Sequence, residues 1–250
     1  MSKDTMVATV GFSRKDTLTL FWLFETQTSA RYPKELTDAF LVQFPGHPIG
    51  YDYVARIAKQ LEQAGHLSMS LMDGKKYYVS TSSGSEQLRL YEEQYYQRFF
   101  EVTLVIDRMY YYLTKIGPAP ENPTAPLDEA FRPFLAKLLS VKDVIRYVAL
   151  KLSQTRPSFY MAQVADQLDD LFGWSPSNGY LYLIAREMEE TGLLIGHWPD
   201  ERRTVRHLKG TDEGQMFFQT VEESFAERLK DVRSHLHAIL SFLQGSAKPQ

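Results

Sequence analysis

Residues 56–67 read RIAKQLEQAGHL, and residues 183–194 read LIAREMEETGLL. In both stretches an apolar residue and a glutamate precede a glycine, and a leucine follows two residues after that glycine. The two glycines, Gly65 and Gly192, are 127 positions apart (192 − 65). A two-fold repeat of this size indicates a duplicated domain, because solenoid repeats have much shorter periods.

The composition is that of an ordinary globular protein, with 44% hydrophobic and 24% charged residues in a chain of 250. This length suits two domains of about 100–150 residues each. The absence of cysteine excludes disulfides, thiol nucleophiles and thiolate metal sites. The sequence also lacks a signal-peptide pattern and any apolar run near the roughly 18 residues of a membrane span, so we expect a cytoplasmic protein without a membrane partner.

Hydrophobic periodicity predicts the same order of elements in each half, namely three helices followed by a two-stranded hairpin. In the first half the predicted helices are 17–26, 32–44 and 50–64, and the strands are 66–71 and 75–80. In the second half the predicted helices are 142–154, 159–172 and 178–191, and the strands are 193–198 and 205–209. Gly65 and Gly192 end the third helices, and Asp73-Gly74 is a strong hairpin signal. This order is typical of a winged helix-turn-helix, whose third helix enters the DNA major groove.

A long helix is predicted after each hairpin, over 85–115 and 212–243, with apolar residues at steps of three and four. These stripes are expected to be pairing surfaces. A proline-rich connector with Pro118, Pro120, Pro123 and Pro126 separates the halves. The predicted fold class is therefore mostly α (α+β), with tandem winged helix-turn-helix domains, each followed by a long C-terminal helix. The predicted domains are 12–116 and 134–244, with a linker at 117–133.

The second half resembles the PadR family of bacterial transcriptional regulators. The family's Gly-x-Leu-Tyr motif matches residues 179–182, GYLY. Its Leu-Glu-x-x-Gly-Leu-Leu motif matches residues 188–194, MEETGLL, with Met188 in place of the first leucine. The first half is a diverged copy, because Ala55 stands where the family has tyrosine. The resemblance implies a nucleoid-associated repressor that binds double-stranded DNA. It also implies dimerisation through the C-terminal helices and release of DNA when a small molecule binds. Here the two long helices would make an intrachain pseudo-dimer, and further pairing into a homodimer stays open.

The residues predicted to contact DNA lie on the third helix and hairpin of each half, except for one lysine near the start of the second helix of the first half. Asparagine suits adenine edges, and arginine suits guanine edges or phosphate oxygens. The second-half candidates are Ser177, Asn178, Tyr180, Tyr182, Arg186, Arg202, Arg203 and Arg206. The first-half candidates are Lys34, Tyr51, Tyr53, Arg56, Lys59, Lys75 and Lys76. Structural alternatives stay open: the helix tyrosines Tyr53 and Tyr182 could pack in the core, Arg186 could pair with Glu190, and Arg202-Arg203 could be neutralised by Asp200-Glu201.

No catalytic or metal-binding constellation is recognisable, so we expect neither an enzyme nor a cofactor. The aromatic runs in the first long helix, including the three tyrosines at 110–112, are expected to pack between helices. Their alternative role is to line a pocket for a small aromatic effector. The net charge of −3 means that DNA binding would require a local basic face. The alternative function is a winged-helix protein–protein interaction module that has lost DNA binding.

Overall fold

The described residues, 11–119, 126–199 and 205–244 of a computed structural model, form nine helices and two antiparallel hairpins and are 67% helical. The elements of the first half are α1 (Arg14–Glu25), α2 (Pro33–Gln43), α3 (Tyr51–Gln63), β1 (Leu67–Met72), β2 (Lys75–Ser80) and α4 (Ser82–Thr114). Those of the second half are α5 (Arg132–Leu138), α6 (Val141–Thr155), α7 (Met161–Phe172), α8 (Asn178–Glu190), β3 (Leu194–His197), β4 (His207–Gly210) and α9 (Asp212–Gln244).

The predicted order of three helices, a hairpin and a long helix occurs in both halves. The elements begin and end within a few residues of the predicted positions. The additional helix is α5, which overlaps the end of the predicted linker. It is short and has Pro133 in its first turn, which leaves too few turns for a periodic signal. The α+β class expected from the sequence is confirmed.

The two glycines of the internal repeat end α3 and α8 in the same way. Gly65 and Gly192 have φ values of 78° and 75°, in the left-handed region. After α3, His66 N–H donates to the Leu61 carbonyl and Gly65 N–H to the Glu62 carbonyl, both at 2.9 Å. After α8, Leu193 and Gly192 make the equivalent two bonds at 2.8 and 3.0 Å. Both ends are Schellman motifs, which satisfy the last carbonyls of a helix.

The same hydrogen bond, from a glycine N–H to a threonine hydroxyl, occurs at the start of each long helix. The Thr81 and Thr211 hydroxyls accept hydrogen bonds from Gly84 N–H and Gly214 N–H at 3.1 and 2.9 Å. A Cβ added at Gly84 would lie 2.2 Å from the His66 carbonyl oxygen, and a Cβ at Gly214 would lie 2.2 Å from that of Leu193. Glycine at these positions therefore lets the long helix approach the end of the preceding third helix.

The hairpins differ in their turns. Asp73 and Gly74 have φ values of 50° and 73°, which is the left-handed pair that a two-residue type I′ turn requires. In the second hairpin, His197 pairs with His207, so a longer loop joins the strands. A residue from the loop between the first and second helices of each half bridges to the second strand of the hairpin. These bridges are Arg31–Tyr78 and Phe159–Leu208.

The chain divides into two compact units that exchange the ends of their long helices. Within the described residues, the first unit contains 11–103 and 234–244, and the second contains 104–119, 126–199 and 205–233. The sequence-based ranges 12–116 and 134–244 assigned each long helix wholly to its own half. The units differ from those ranges because the last segment of α4 belongs to the second unit and the last segment of α9 to the first.

The core of the first unit is rich in aromatic residues. Trp22 is fully buried and its indole N–H donates to the Val54 carbonyl at 3.2 Å, which joins α1 to α3. Phe242 of α9 contacts Phe21 and Phe44, with ring centroids 5.4 and 6.0 Å apart. The apolar stripe of α9 thus supplies part of the first unit's core.

The core of the second unit is centred on Tyr147 of α6. Its ring lies 5.3 Å from Phe218 and 5.5 Å from Phe225, both on α9. Its hydroxyl donates to the Glu222 carboxylate at 2.9 Å, and burial together with this carboxylate raises the pKa of Tyr147. Lys151 donates to the Tyr147 hydroxyl at 3.0 Å and to the Tyr112 carbonyl at 3.3 Å, so this polar cluster joins α4 to α6 and α9.

Candidate nucleic-acid interface

Helices α3 and α8 bury equivalent faces, which fixes the face that each presents to solvent. The buried residues of α3 are Val54, Ile57, Ala58 and Leu61, and those of α8 are Leu181, Ile184, Ala185 and Met188. Every pair in these sets differs by 127 positions, the same offset as the two glycines. The remaining faces hold most of the side chains that the sequence predicted for DNA contact.

The solvent face of α3 is aromatic and basic. Tyr51 is 48% exposed, and Arg56 and Lys59 are exposed. Neither cation has an ion-pair partner among the described residues. Tyr53 is half-buried, and the guanidinium of Arg56 lies 4.9 Å from its ring centroid. Tyr53 is therefore not fully buried in the core, and its ring lies beneath a cation; its contact with DNA stays a prediction.

Arg14 is a residue of this surface that sequence reasoning missed. It lies in the first turn of α1, and its guanidinium is 5.7 Å from the same Tyr53 ring. It also donates a hydrogen bond to the Pro48 carbonyl. No spacing rule connects the start of α1 with the start of α3, so only the folded chain brings these residues together.

The first hairpin adds two lysines. Lys75 and Lys76 are exposed, and the Lys75 ammonium lies 5.0 Å from the Tyr32 ring centroid. Lys34 is placed less favourably for phosphate, because it forms an ion pair with Asp38 at 2.7 Å. The hydrogen bond to Asp38 raises the pKa of Lys34. Lys76 therefore joins Arg56 and Lys59 as a cation without a carboxylate partner among the described residues.

Helix α8 presents its predicted residues to solvent at its first turns. Ser177 is the N-cap and accepts a hydrogen bond from Tyr180 N–H at 3.4 Å. Asn178 is exposed, and Tyr182 is 55% exposed, so it does not pack in the core. Arg186 is exposed and has no ion pair with Glu190 among the described residues. These side chains are accessible to a partner along one face.

The C-terminal half of α8 is acidic, in contrast to α3. Its three glutamates are Glu187, Glu189 and Glu190, whereas Arg186 is its one basic residue. Glu187 accepts hydrogen bonds from Lys142 and Arg146 of α6. The Lys142 ammonium lowers the pKa of the Glu187 carboxyl. This end of α8 is therefore attached to α6 by ion pairs.

Arg206, predicted to contact DNA from the second hairpin, forms an ion pair with Glu189. Its Nε donates to the carboxylate at 3.0 Å, and a second nitrogen donates to the other oxygen. The guanidinium also lies 5.3 Å from the Trp198 ring centroid. A Cβ at Gly196 would lie 2.3 Å from the Glu189 oxygen, so this glycine leaves room for the pair. Arg206 thus has a counter-charge within its own unit, which weakens its prediction as a phosphate contact.

A groove of about 710 Å³ lies between α8 and the second hairpin. Its apolar lining includes the buried residues Met161, Ala185 and Leu208. The exposed rings of Tyr182 and Trp198 also line it. Arg202 and Arg203, the other cations predicted for this hairpin, lie outside the described residues.

The aromatic residues of α4 mainly contact one another and neighbouring helices. Phe12 meets Tyr91, Tyr95 and Phe99 edge-on at centroid distances of 5.7, 4.7 and 5.1 Å. Near the end of α4, the Lys151 ammonium lies 4.4 Å from the Tyr112 ring centroid. These contacts agree with packing as the main role of the aromatic runs.

Within 11–119, 126–199 and 205–244, no group of three histidine or carboxylate side chains is placed to hold a metal ion. No helix in the same ranges combines the length and apolarity needed to cross a bilayer. No protein-family model matches the sequence, and no curated protein is significantly similar to it.

Proposed function

We propose that this chain is a sequence-specific DNA-binding transcriptional regulator, acting as a repressor and built from two PadR-like winged helix-turn-helix domains. The observation that carries the proposal is the repeated third helix. Helices α3 and α8 bury the same register of apolar residues and leave the opposite face exposed beside a hairpin. In helix-turn-helix proteins that exposed face reads the major groove.

Charge supports the proposal more strongly for the first unit than for the second. Arg56, Lys59 and Lys76 are exposed, and no described carboxylate neutralises them. Cations of this kind release counterions when they bind phosphates, and this release supplies most of the non-specific affinity for DNA. The diverged first copy would therefore carry much of the phosphate binding. The second copy, with Asn178 and Arg186 exposed, would contribute base contacts.

The exchange of helix ends supports a pseudo-dimer within one chain. Each unit completes its core with the final segment of a long helix that begins in the other unit. PadR-like regulators pair two chains through C-terminal helices, and here two copies in one polypeptide would serve the same purpose. Double-stranded DNA is the proposed partner. Pairing of two chains into a homodimer and control by a small aromatic effector are further parts of the proposal.

Selection of bound fragments from the source organism's genomic DNA tests this function. Two reading helices would bind half-sites about 10 bp apart, one helical turn. Because the exposed residues of α3 and α8 differ, the recovered operator should be asymmetric. Recovery of no enriched sequence, together with absence of duplex binding at low salt, would contradict the proposal.

A protein–protein interaction module is the second candidate, and the surface of the second unit favours it. Leu183 is 57% exposed and Ile195 is 61% exposed, close in sequence to the glutamates of α8. An apolar and acidic surface is unfavourable for binding the DNA phosphates, but it suits contact with another protein. Retained self-association without any duplex binding would support this candidate over the first.

A further inference from the structure

Near the start of α3, the guanidinium of Arg14 from α1 and that of Arg56 from α3 both lie close to the ring of Tyr53. The Cζ atoms of Arg14 and Arg56 lie 5.7 and 4.9 Å from the centroid of the Tyr53 ring. An aromatic ring attracts cations at such distances through its quadrupole. Tyr53 thus holds side chains from two different helices at one place on the surface of the first unit.

The two arginines are positioned rather than loosely exposed. Arg14 is half-buried and donates to the Pro48 carbonyl, which orients its planar group through one of five donors. Arg56 is exposed, and within the described residues it has no hydrogen-bond or ion-pair partner. A guanidinium carries five N–H donors, so the bond to the Pro48 carbonyl leaves Arg14 able to donate to an anion as well.

The backbone beside the cluster also favours an anion. Helix α3 begins after Gly50, which supplies no side-chain cap, so no N-cap side chain hydrogen-bonds the first N–H groups of the helix. A Cβ added at Gly50 would meet nothing within 4 Å, so the space at this helix end is open. The partial positive charge of a helix N-terminus adds to that of the guanidiniums. Asp52, in the first turn, opposes this field with one carboxylate.

We propose that Arg14, Tyr53 and Arg56 form a phosphate clamp, in which both guanidiniums bind one phosphodiester of duplex DNA at the N-terminal end of α3. Guanidinium forks match phosphate oxygens geometrically, and bonds between them are charge-assisted. Tyr53 is the positioning residue of this clamp and does not read a base. The clamp rests on the proposed function, because its ligand is the DNA backbone.

Replacement of the ring and replacement of the cations test the clamp by different routes. Tyr53→Phe keeps the aromatic face and should bind duplex DNA within about twofold of wild type. Tyr53→Leu removes that face and should bind about tenfold more weakly. Arg14→Gln and Arg56→Gln should each make the negative slope of log K against log salt shallower by about 1. Arg89→Gln, at an arginine of α4 that is already paired with Glu86 and Glu93, should leave the slope unchanged and serves as the matched control.

Fluorescence anisotropy on one labelled genomic duplex across a salt series measures these effects. Equal losses in Tyr53→Phe and Tyr53→Leu would assign the role to the hydroxyl and overturn the clamp. Arg56 is exposed, so Arg56→Gln should fold normally and keeps the proposal testable if Tyr53→Leu unfolds. Added inorganic phosphate at constant ionic strength should not compete; competition that disappears in Arg56→Gln would assign the site to free phosphate and overturn the DNA contact.

Failure of the clamp is distinguishable from failure of the proposed function. If wild type binds duplex DNA but Arg14→Gln and Arg56→Gln bind with unchanged affinity and slope, the clamp is wrong and the function stands. If wild type binds no duplex at low salt, the function is wrong and the clamp falls with it.

Discussion

Gly214 allows close contact between the long helix α9 and the end of α8. A Cβ there would lie 2.2 Å from the Leu193 carbonyl oxygen, and neither group belongs to a flexible side chain. The Schellman ending of α8 fixes Leu193, so the backbone has little freedom to retreat. The equivalent contact at Gly84 shows that the duplication preserves this constraint along with the helix-ending glycines.

Gly214→Ala should therefore destabilise the protein by about 1–3 kcal/mol, the usual range for overpacking. Gly179→Ala is the matched control, because a Cβ at Gly179 meets nothing within 4 Å and alanine favours a helix. Urea unfolding gives both values. Equal stability of Gly214→Ala and wild type would show that the close contact does not constrain the chain.

His235 is a buried titratable residue in the first unit. Its ring lies 5.1 Å from that of His47 and 5.2 Å from Phe44, and its Nδ1 has no hydrogen-bond partner among the described residues. Burial, together with His47, lowers the pKa of His235 to about 3. The folded protein therefore keeps this imidazole neutral at pH values where the unfolded chain takes up a proton.

The stability of the protein should fall as the pH decreases below about 6.5. Above that pH the imidazole is neutral in both states, so it adds no pH dependence. Below it only the unfolded state gains the proton, which costs about 1.4 kcal/mol per pH unit and about 2 kcal/mol between pH 7 and pH 5. Urea unfolding of wild type and His235→Phe at both pH values measures this. The same pH dependence in both proteins would contradict the assignment.

At the level of elements, the last segment of α9 stabilises the first unit. Phe242 is 4% exposed, and its ring lies 5.4 Å from that of Phe21 and 5.0 Å from that of Phe24. The apolar stripe of α9 is continuous in sequence, but its parts belong to the cores of different units. The end of this helix is thus part of a core that forms mainly from the opposite end of the chain.

Phe242→Ala should lower the stability of the first unit by about 3–5 kcal/mol, as expected for removal of a buried aromatic ring. Phe217→Ala, at a position of α9 that is 37% exposed, is the control and should have a much smaller effect. Fluorescence of Trp22 reports on the first unit once Trp174 and Trp198 are replaced by phenylalanine. An unchanged Trp22 unfolding midpoint in Phe242→Ala would contradict the helix exchange.

Local signals explain which elements could be predicted from the sequence. Helix ends marked by Gly65 and Gly192, and the turn marked by Asp73-Gly74, depend on backbone conformations that few other residues adopt. Helix α5 lacks such signals and was missed. The exchange of helix ends could not be predicted, because an apolar stripe indicates that a helix is covered but does not identify the residues that cover it.

The candidate interface was predictable to a similar extent. Exposure of Asn178, Tyr182 and Arg186 follows from the helical register of α8. The Arg14–Tyr53 contact and the Arg206–Glu189 ion pair join residues without a regular spacing, so they depend on the tertiary structure. As a result, the sequence alone does not reveal that Arg14 joins the surface of the first unit or that Arg206 has a counter-charge.

At the scale of the whole molecule, a net charge of −3 coexists with a basic surface on the first unit. Steering and phosphate binding depend on the local distribution of charge, so the overall acidity is compatible with DNA binding. The proposed affinity for DNA should therefore respond to charge on the face of α3 and the first hairpin, and much less to charge elsewhere.

The salt dependence of duplex binding measures how much these cations contribute. The slope of log K against log salt is negative, and each lost phosphate contact makes it shallower by about 0.9. Lys59→Gln combined with Lys76→Gln removes two cations and should therefore make the slope shallower by about 2. Arg89→Gln, which removes a cation already paired with Glu86 and Glu93 on α4, should leave it near the wild-type value. Equal slopes for wild type, the double lysine variant and Arg89→Gln, or no duplex binding by wild type, would contradict the proposed role of this basic surface.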